Sequence, residues 1–189
     1  MSSSIRAVVM AGFVVGVCGI AMGQQVSKRQ YPGVQNFSRV DATVACGGAT
    51  TPDAVQALKA DGFTSIVNLR AADEPGANVE GEASAAAKAG VQYFHLAFKA
   101  AAPDTAVVDR FLAVVAEPRN QPVFIHCATA NRVAALWLIK RVRLDAWTVD
   151  KALAEARAIG LTSEPLRQFA LDYLSRRGSD EPSHATNGR

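Results

Sequence analysis

Short runs of β-branched and aromatic residues alternate along this chain with longer segments of helical period, and that order restricts the fold more than any other feature. Residues 40–46, 65–69, 91–98 and 123–126 read as strands, apolar enough to be buried on both faces. Between the first two lies a helix capped by Thr51 with Pro52 at its first position. It carries Val55 and Leu58 on one face and stops at Gly62. An alanine-rich helix over 78–89 closes at Gly90, and a helix over 105–115 turns Val107, Val108, Phe111, Leu112 and Val115 inward. Alternation of this kind predicts an α/β fold with a largely parallel central sheet flanked by helices. Two more helices are expected, 148–158 capped by Thr148 and 164–176 covering the core with Leu166, Phe169, Ala170, Tyr173 and Leu174. No internal repeat is present.

With 189 residues and 49% apolar composition, the chain supports one domain with a full core. Residues 1–23 read as a signal peptide: Arg6 precedes an apolar run, and Ala21 and Gly23 are small residues ahead of cleavage before Gln24. The run is shorter than the roughly 20 residues of a spanning helix, so the mature chain is expected to be periplasmic or secreted, without stable membrane insertion. Val17 is too large ahead of Cys18 for a lipoprotein site. Residues 24–38 then form a polar arm, 39–177 the folded domain, and 178–189 a polar, disordered tail. The formal charge of +3 falls to +2 once Arg6 is removed, and no basic stripe with interleaved aromatics occurs, so a nucleic-acid partner is not expected.

The chemistry concentrates in Val123-Phe124-Ile125-His126-Cys127-Ala128-Thr129-Ala130-Asn131-Arg132, a strand that enters a short loop and then the apolar helix beginning at Val133. Backbone N–H groups at a helix start carry partial positive charge. They favour an anion in the loop and can bring a cysteine pKa from about 8.5 into the range of roughly 3.5–7.5. Arg132 adds a fork-shaped guanidinium that can hold two oxygens of one phosphate. Asn131 and Thr129 are suited to holding the loop's shape by side-chain hydrogen bonds. In an open α/β sheet this loop gathers beyond the strands' carboxyl ends with Arg70 and the Asp73–Glu74 segment.

This loop resembles the His-Cys…Arg signature of the cysteine-dependent phosphatases. Gly47-Gly48-Ala49-Thr50-Thr51-Pro52, Gly62-Phe63-Thr64-Ser65-Ile66-Val67-Asn68-Leu69-Arg70 and Gly90-Val91-Gln92-Tyr93-Phe94-His95-Leu96 extend the likeness to the dual-specificity subgroup. It is most similar there to the bacterial phosphatase-like domain also found joined to beta-lactamase-like hydrolases, over roughly residues 39–160. The resemblance implies a hydrolase of phosphate monoesters acting through a phosphocysteine. Cys127 is then the nucleophile, and Arg132 binds phosphate with His126, Ala128, Thr129, Ala130, Asn131 and Arg70. The substrate is a phosphorylated small molecule or a phosphoprotein, and no cofactor is required.

The loop departs from the common pattern in three places. Four residues separate Cys127 from Arg132 where phosphatases usually have five, Ala130 stands where glycine is frequent, and Val133 replaces the usual Ser or Thr. The short spacing is the length found in rhodanese-type sulfurtransferases, so a Cys127 persulfide is the second reading. A noncatalytic anion-binding or redox module is the third. Family analogy puts the general acid after the third strand, where Asp104 is the nearest carboxylate although it is also a good helix cap; Glu74 is the substitute. His95 and His184 are the only other histidines beside His126, which offers no metal-ligand set. Outside the leader the cysteines are Cys46 and Cys127. Two cysteines in an oxidising compartment suggest a disulfide, but the setting of Cys127 points to a nucleophile, leaving Cys46 as a buried residue able to form a reversible, protective bridge.

Overall fold

The computed structural model describes residues 25–179, with side chains described to residue 176. The leader expected at 1–23, with Cys18, and the tail beyond residue 179 lie outside the described residues. Six strands form one sheet: β1 (Ser27–Lys28), β2 (Ser38–Arg39), β3 (Val44–Gly47), β4 (Ser65–Asn68), β5 (Gln92–His95) and β6 (Val123–His126), in the spatial order β1-β2-β3-β6-β4-β5. The four strands from β3 to β5 are parallel, and the expected α/β class is what the chain adopts. β6 lies at the centre, with Ile125 opposite Cys46 on one side and Val67 on the other.

The strand expected over 40–46 is shorter, beginning at Val44, and residues 40–43 form a turn. Asp41 Oδ1 accepts from the Thr43 N–H and hydroxyl, both at 2.7 Å, and this side-chain turn folds β2 back antiparallel on β3. The arm before it is integrated into the fold. β1 pairs with β2, and Tyr31, Val34 and Phe37 are buried, with Tyr31 stacked on Phe37 at 4.4 Å. The first helix, α1 (Ala54–Ala60), starts later than Thr51, since residues 51–55 form a turn with Ala54 N–H on the Thr51 carbonyl. The helices α2 (Val79–Ala89) and α3 (Thr105–Ala116) follow, capped by Asn78 and Asp104.

Alternation along β6 divides the core. Phe124 packs with α1, α2 and the arm, while Val123, Ile125 and Cys127 face the opposite cluster. That second cluster contains α3 and the three last helices, α4 (Asn131–Arg143), α5 (Val149–Ile159) and α6 (Glu164–Ser179). α4 is the most deeply buried, with Val133, Ala134, Ala135, Leu136, Leu138 and Ile139 fully enclosed. Its N-terminus is therefore held rigidly just past the carboxyl end of the central strand.

Candidate active site

Cys127 follows β6 directly, and its N–H donates to the Gly47 carbonyl at 3.3 Å, so the neighbouring strand fixes where the loop begins. The chain then turns through Ala130, at φ +72°, into α4. Among the described residues no acceptor receives the backbone N–H groups of Ala128, Thr129, Ala130, Asn131 or Arg132. Thr129 is exposed, but the other four residues are buried or half-buried, where donors are almost always paired, so the open N–H groups of this turn form a cradle for an anion. Two outside contacts set its shape. The Ala49 N–H donates to the Ala128 carbonyl at 2.9 Å, and Gly48 approaches that carbonyl so closely that a β-carbon there would stand 3.0 Å from it. Asn131 Oδ1 accepts from the Thr162 and Ser163 N–H groups, each at 2.8 Å, and its Nδ2 donates to Thr129 Oγ1 at 3.3 Å.

Arg132 reaches back over the sheet edge. Its Nη1 donates to the carbonyls of Leu69 (3.1 Å) and Phe98 (3.0 Å) and lies 2.5 Å from Glu74 Oε1, while Nη2 donates to Glu74 Oε2 at 2.7 Å. A guanidinium has five N–H bonds, and these contacts leave Nε–H and the second Nη2–H free for an incoming ligand. Those two share one edge of the plane, the edge that binds two phosphate oxygens together. Burial works against the Arg132 charge, but Glu74 and Cys127 outweigh it and raise its pKa above the ordinary value.

Glu74 is fixed in the opposite sense. Burial raises its pKa, yet the hydrogen bonds from Arg132 and the Ala71 N–H, with the charges of Arg132 and Arg70, bring it down to about 2. It is a carboxylate at neutral pH with both oxygens engaged, which makes it a clamp on Arg132 and unsuited to donating a proton. Arg70, expected to bind substrate, supports this clamp: Nη1 and Nη2 donate to the Gly76 and Pro75 carbonyls at 2.9 and 2.5 Å, and Nε lies 3.5 Å from Glu74.

A cavity of about 450 Å³ opens over Arg132, lined by Ala71, Asp73, Glu74, Pro75, Lys99, Ala100 and Ala101 as well. Lys99 and Asp73 sit 3.7 Å apart within it. Cys127 is not part of this lining, and none of its surface is exposed. Asp104 is not part of this lining; its Oδ1 caps α3 by accepting from the Ala106 N–H at 2.8 Å. Two carboxylates do line the cavity, Glu74 and Asp73; the sequence brings both to this edge, but it gives Asp73 no role as an acid, because an acidic residue in an Asp-Glu-Pro-Gly turn looks like ordinary loop surface. His95 Nε2 donates to the Arg70 carbonyl, 2.7 Å away, at the start of the same loop.

His126 is fully buried, with its ring stacked on Phe124 and its Nε2 3.3 Å from Glu82 Oε2. That carboxylate oxygen also receives Asn68 Nδ2 at 2.6 Å and Tyr93 Oη at 2.9 Å. Neither Glu82 nor Asn68 was identifiable beforehand. Among the described residues both cysteines, Cys46 and Cys127, are free and buried. Burial, then the charges of Glu155, Cys127 and Asp41, push the Cys46 thiol well above its usual pKa, so it stays protonated. Among the described residues no cluster of His, Cys, Asp and Glu could hold a metal.

A buried cysteine and a clamped arginine around an open N–H cradle, at the carboxyl edge of a parallel sheet, define a cysteine-dependent phosphatase. A family profile described as DSP-PTPase phosphatase fused to NAD+ kinase matches residues 18–167, more than half of the sequence, and the chain belongs to that family. No curated protein matches the chain by sequence. Among solved structures, a DUF442 candidate phosphatase from Shewanella putrefaciens CN-32 is similar with TM-score 0.65 and 18% identity, over 77% of this chain and 92% of that one. The core catalytic domain of the PP-IP phosphatase SIW14 from S. cerevisiae is similar with TM-score 0.61 and 19% identity, over 79% and 94%. TpbA of P. aeruginosa is similar with TM-score 0.61 and 22% identity, over 84% and 92%. At these identities the structures establish a common fold.

Proposed function

We propose that the protein hydrolyses phosphate monoesters through a phosphocysteine. The observation that carries this reading is the set of five open N–H groups between Cys127 and Arg132, joined by the free edge of the Arg132 guanidinium. A phosphate dianion entering the cavity places its peripheral oxygens on those donors, which stabilise charge most strongly as it develops in the transition state. The Cys127 thiolate attacks phosphorus, the P–O bond to the leaving group breaks, and Asp73 supplies the proton that the departing oxygen takes up. Water then cleaves the S–P bond, releasing inorganic phosphate and restoring the thiolate.

Substrates are phosphorylated small molecules or phosphoproteins. A solved structure of a TpbA variant holds phosphotyrosine, and SIW14 is described as a PP-IP phosphatase, so relatives of this fold bind quite different phosphoryl compounds. The apolar run after Arg6 supports an exported site of action, which fractionation of cells expressing the full chain would check.

The test is phosphate release from p-nitrophenyl phosphate by reduced protein, beside Cys127→Ser prepared identically. Turnover in the former and its loss in the latter is the expected result. An inert reduced wild type that instead makes thiocyanate from thiosulfate and cyanide would replace this reading with sulfur transfer.

A further inference from the structure

Glu82 takes no part in the phosphate chemistry above, yet its side chain is only 2% exposed. Burying a carboxylate costs several kcal/mol unless charges or donors compensate. Here the compensation comes from three sides. Glu82 sits in the first turn of α2, where the helix dipole favours negative charge. Asn68 on β4 and Tyr93 on β5 both donate to Oε2. The third neighbour is His126 on β6, whose Nε2 is 3.3 Å from the same oxygen.

The His126 ring is otherwise held loosely. Neither ring nitrogen makes a hydrogen bond of good geometry, so the 3.3 Å approach to Glu82 is a close polar contact and not an aligned bond. Phe124 restrains the plane of the ring by stacking at 5.7 Å, which leaves rotation within that plane to the carboxylate. The residue after His126 is the nucleophile. Asn68 Oδ1 in turn accepts from the Arg70 N–H at 2.7 Å, linking the same cluster to the loop that carries Glu74.

We propose that Glu82 is a positioning residue for the nucleophile: its carboxylate sets the imidazole of His126 and thereby the start of the phosphate loop. This rests on the phosphatase reading of the site. The cluster reaches both halves of the site, since His126 leads into Cys127 and Asn68 leads into the Arg132 clamp.

The full chain with Glu82→Gln keeps shape and removes charge. Expected is a fall in kcat on the order of tenfold to a hundredfold with KM changed less than about twofold, since a misplaced nucleophile loses rate more than binding. His126→Asn should fall similarly, and the double variant should be no worse than His126→Asn alone, because the two act as one unit. An unchanged kcat in Glu82→Gln, or losses that simply multiply, would overturn the proposal. If Glu82→Gln does not fold, Tyr93→Phe is measured in its place. It removes one donor from the same oxygen, and a kcat equal to wild type would be equally fatal. Alkylation of Cys127 by iodoacetate at fixed pH gives the same comparison independently of turnover. An inert wild type whose alkylation rate still drops with Glu82→Gln would therefore count against the phosphatase reading and not against this one.

Discussion

At Ala130 the backbone takes φ +72°, a conformation in which a β-carbon crowds its own peptide neighbours. The loop needs this turn to bring its N–H groups to one side, and the methyl group is accommodated 3.5 Å from where a β-carbon on Gly160 would stand. Ala130→Gly should therefore stabilise the fold by about 1 kcal/mol, read as a rise of roughly 2–4 °C in Tm, without loss of turnover. The sequence shows that alanine stands here where glycine is frequent, and the positive φ adds the physical reason for glycine. The placement of Cys127 and Arg132 was legible too, because a strand, a short loop and an apolar helix bring them together past the carboxyl end of the central strand. Glu82 was not. A glutamate in an alanine-rich helix looks solvated, and only the packing of α2 against the sheet reveals that it points into the protein beside His126. Glu74 was visible as an acid but not as a clamp, since its partner lies 58 positions away.

Among the elements, the central strand and the helix capped by Asp104 lie where periodicity places them, whereas the ends of the sheet do not. β5 is hydrogen-bonded only over Gln92–His95, because beyond it the Leu96 and Phe98 N–H groups turn to the Asn68 and Leu69 carbonyls and carry the chain off toward Arg132. Apolar residues continue through that departure, so pattern alone extends the strand. The division between β2 and β3 depends on one Asp-x-Thr turn, a local hydrogen-bonding choice inside an otherwise strand-like run. For α3, Asp104→Ala should cost about 1 kcal/mol through loss of the cap, measured by urea unfolding. It should leave hydrolysis of aryl phosphates with poor leaving groups within about threefold of wild type, whereas Asp73→Asn should slow those substrates by about a hundredfold or more. A large loss of rate in Asp104→Ala with Asp73→Asn unaffected would return the acid to α3.

On the scale of the whole molecule, the Arg132–Glu74 clamp joins α4 to the loop after β4 and makes stability depend on acid. Glu74 has a pKa of about 2 in the fold against an ordinary value of 4.5, so its contribution is complete above about pH 4.5 and is lost as pH falls toward 2. That shift corresponds to a few kcal/mol. Urea unfolding of wild type and Glu74→Gln should differ by that order at pH 6, and the gap should close progressively at pH 3 and below; a gap that is constant with pH would mean the clamp is not ionic. The connection between α5 and α6 imposes a different kind of dependence. Thr162 and Ser163 give both their amide protons to Asn131, 31 and 32 positions earlier, and Gly160 packs against Ala130. A fragment ending after α4 would retain every strand, Cys127 and Arg132, and still lack the two donors that brace the turn between them. The minimal catalytic unit thus runs at least through Ser163, and a family defined only by its Cys-to-Arg spacing omits the part of the chain that sets how wide that spacing opens.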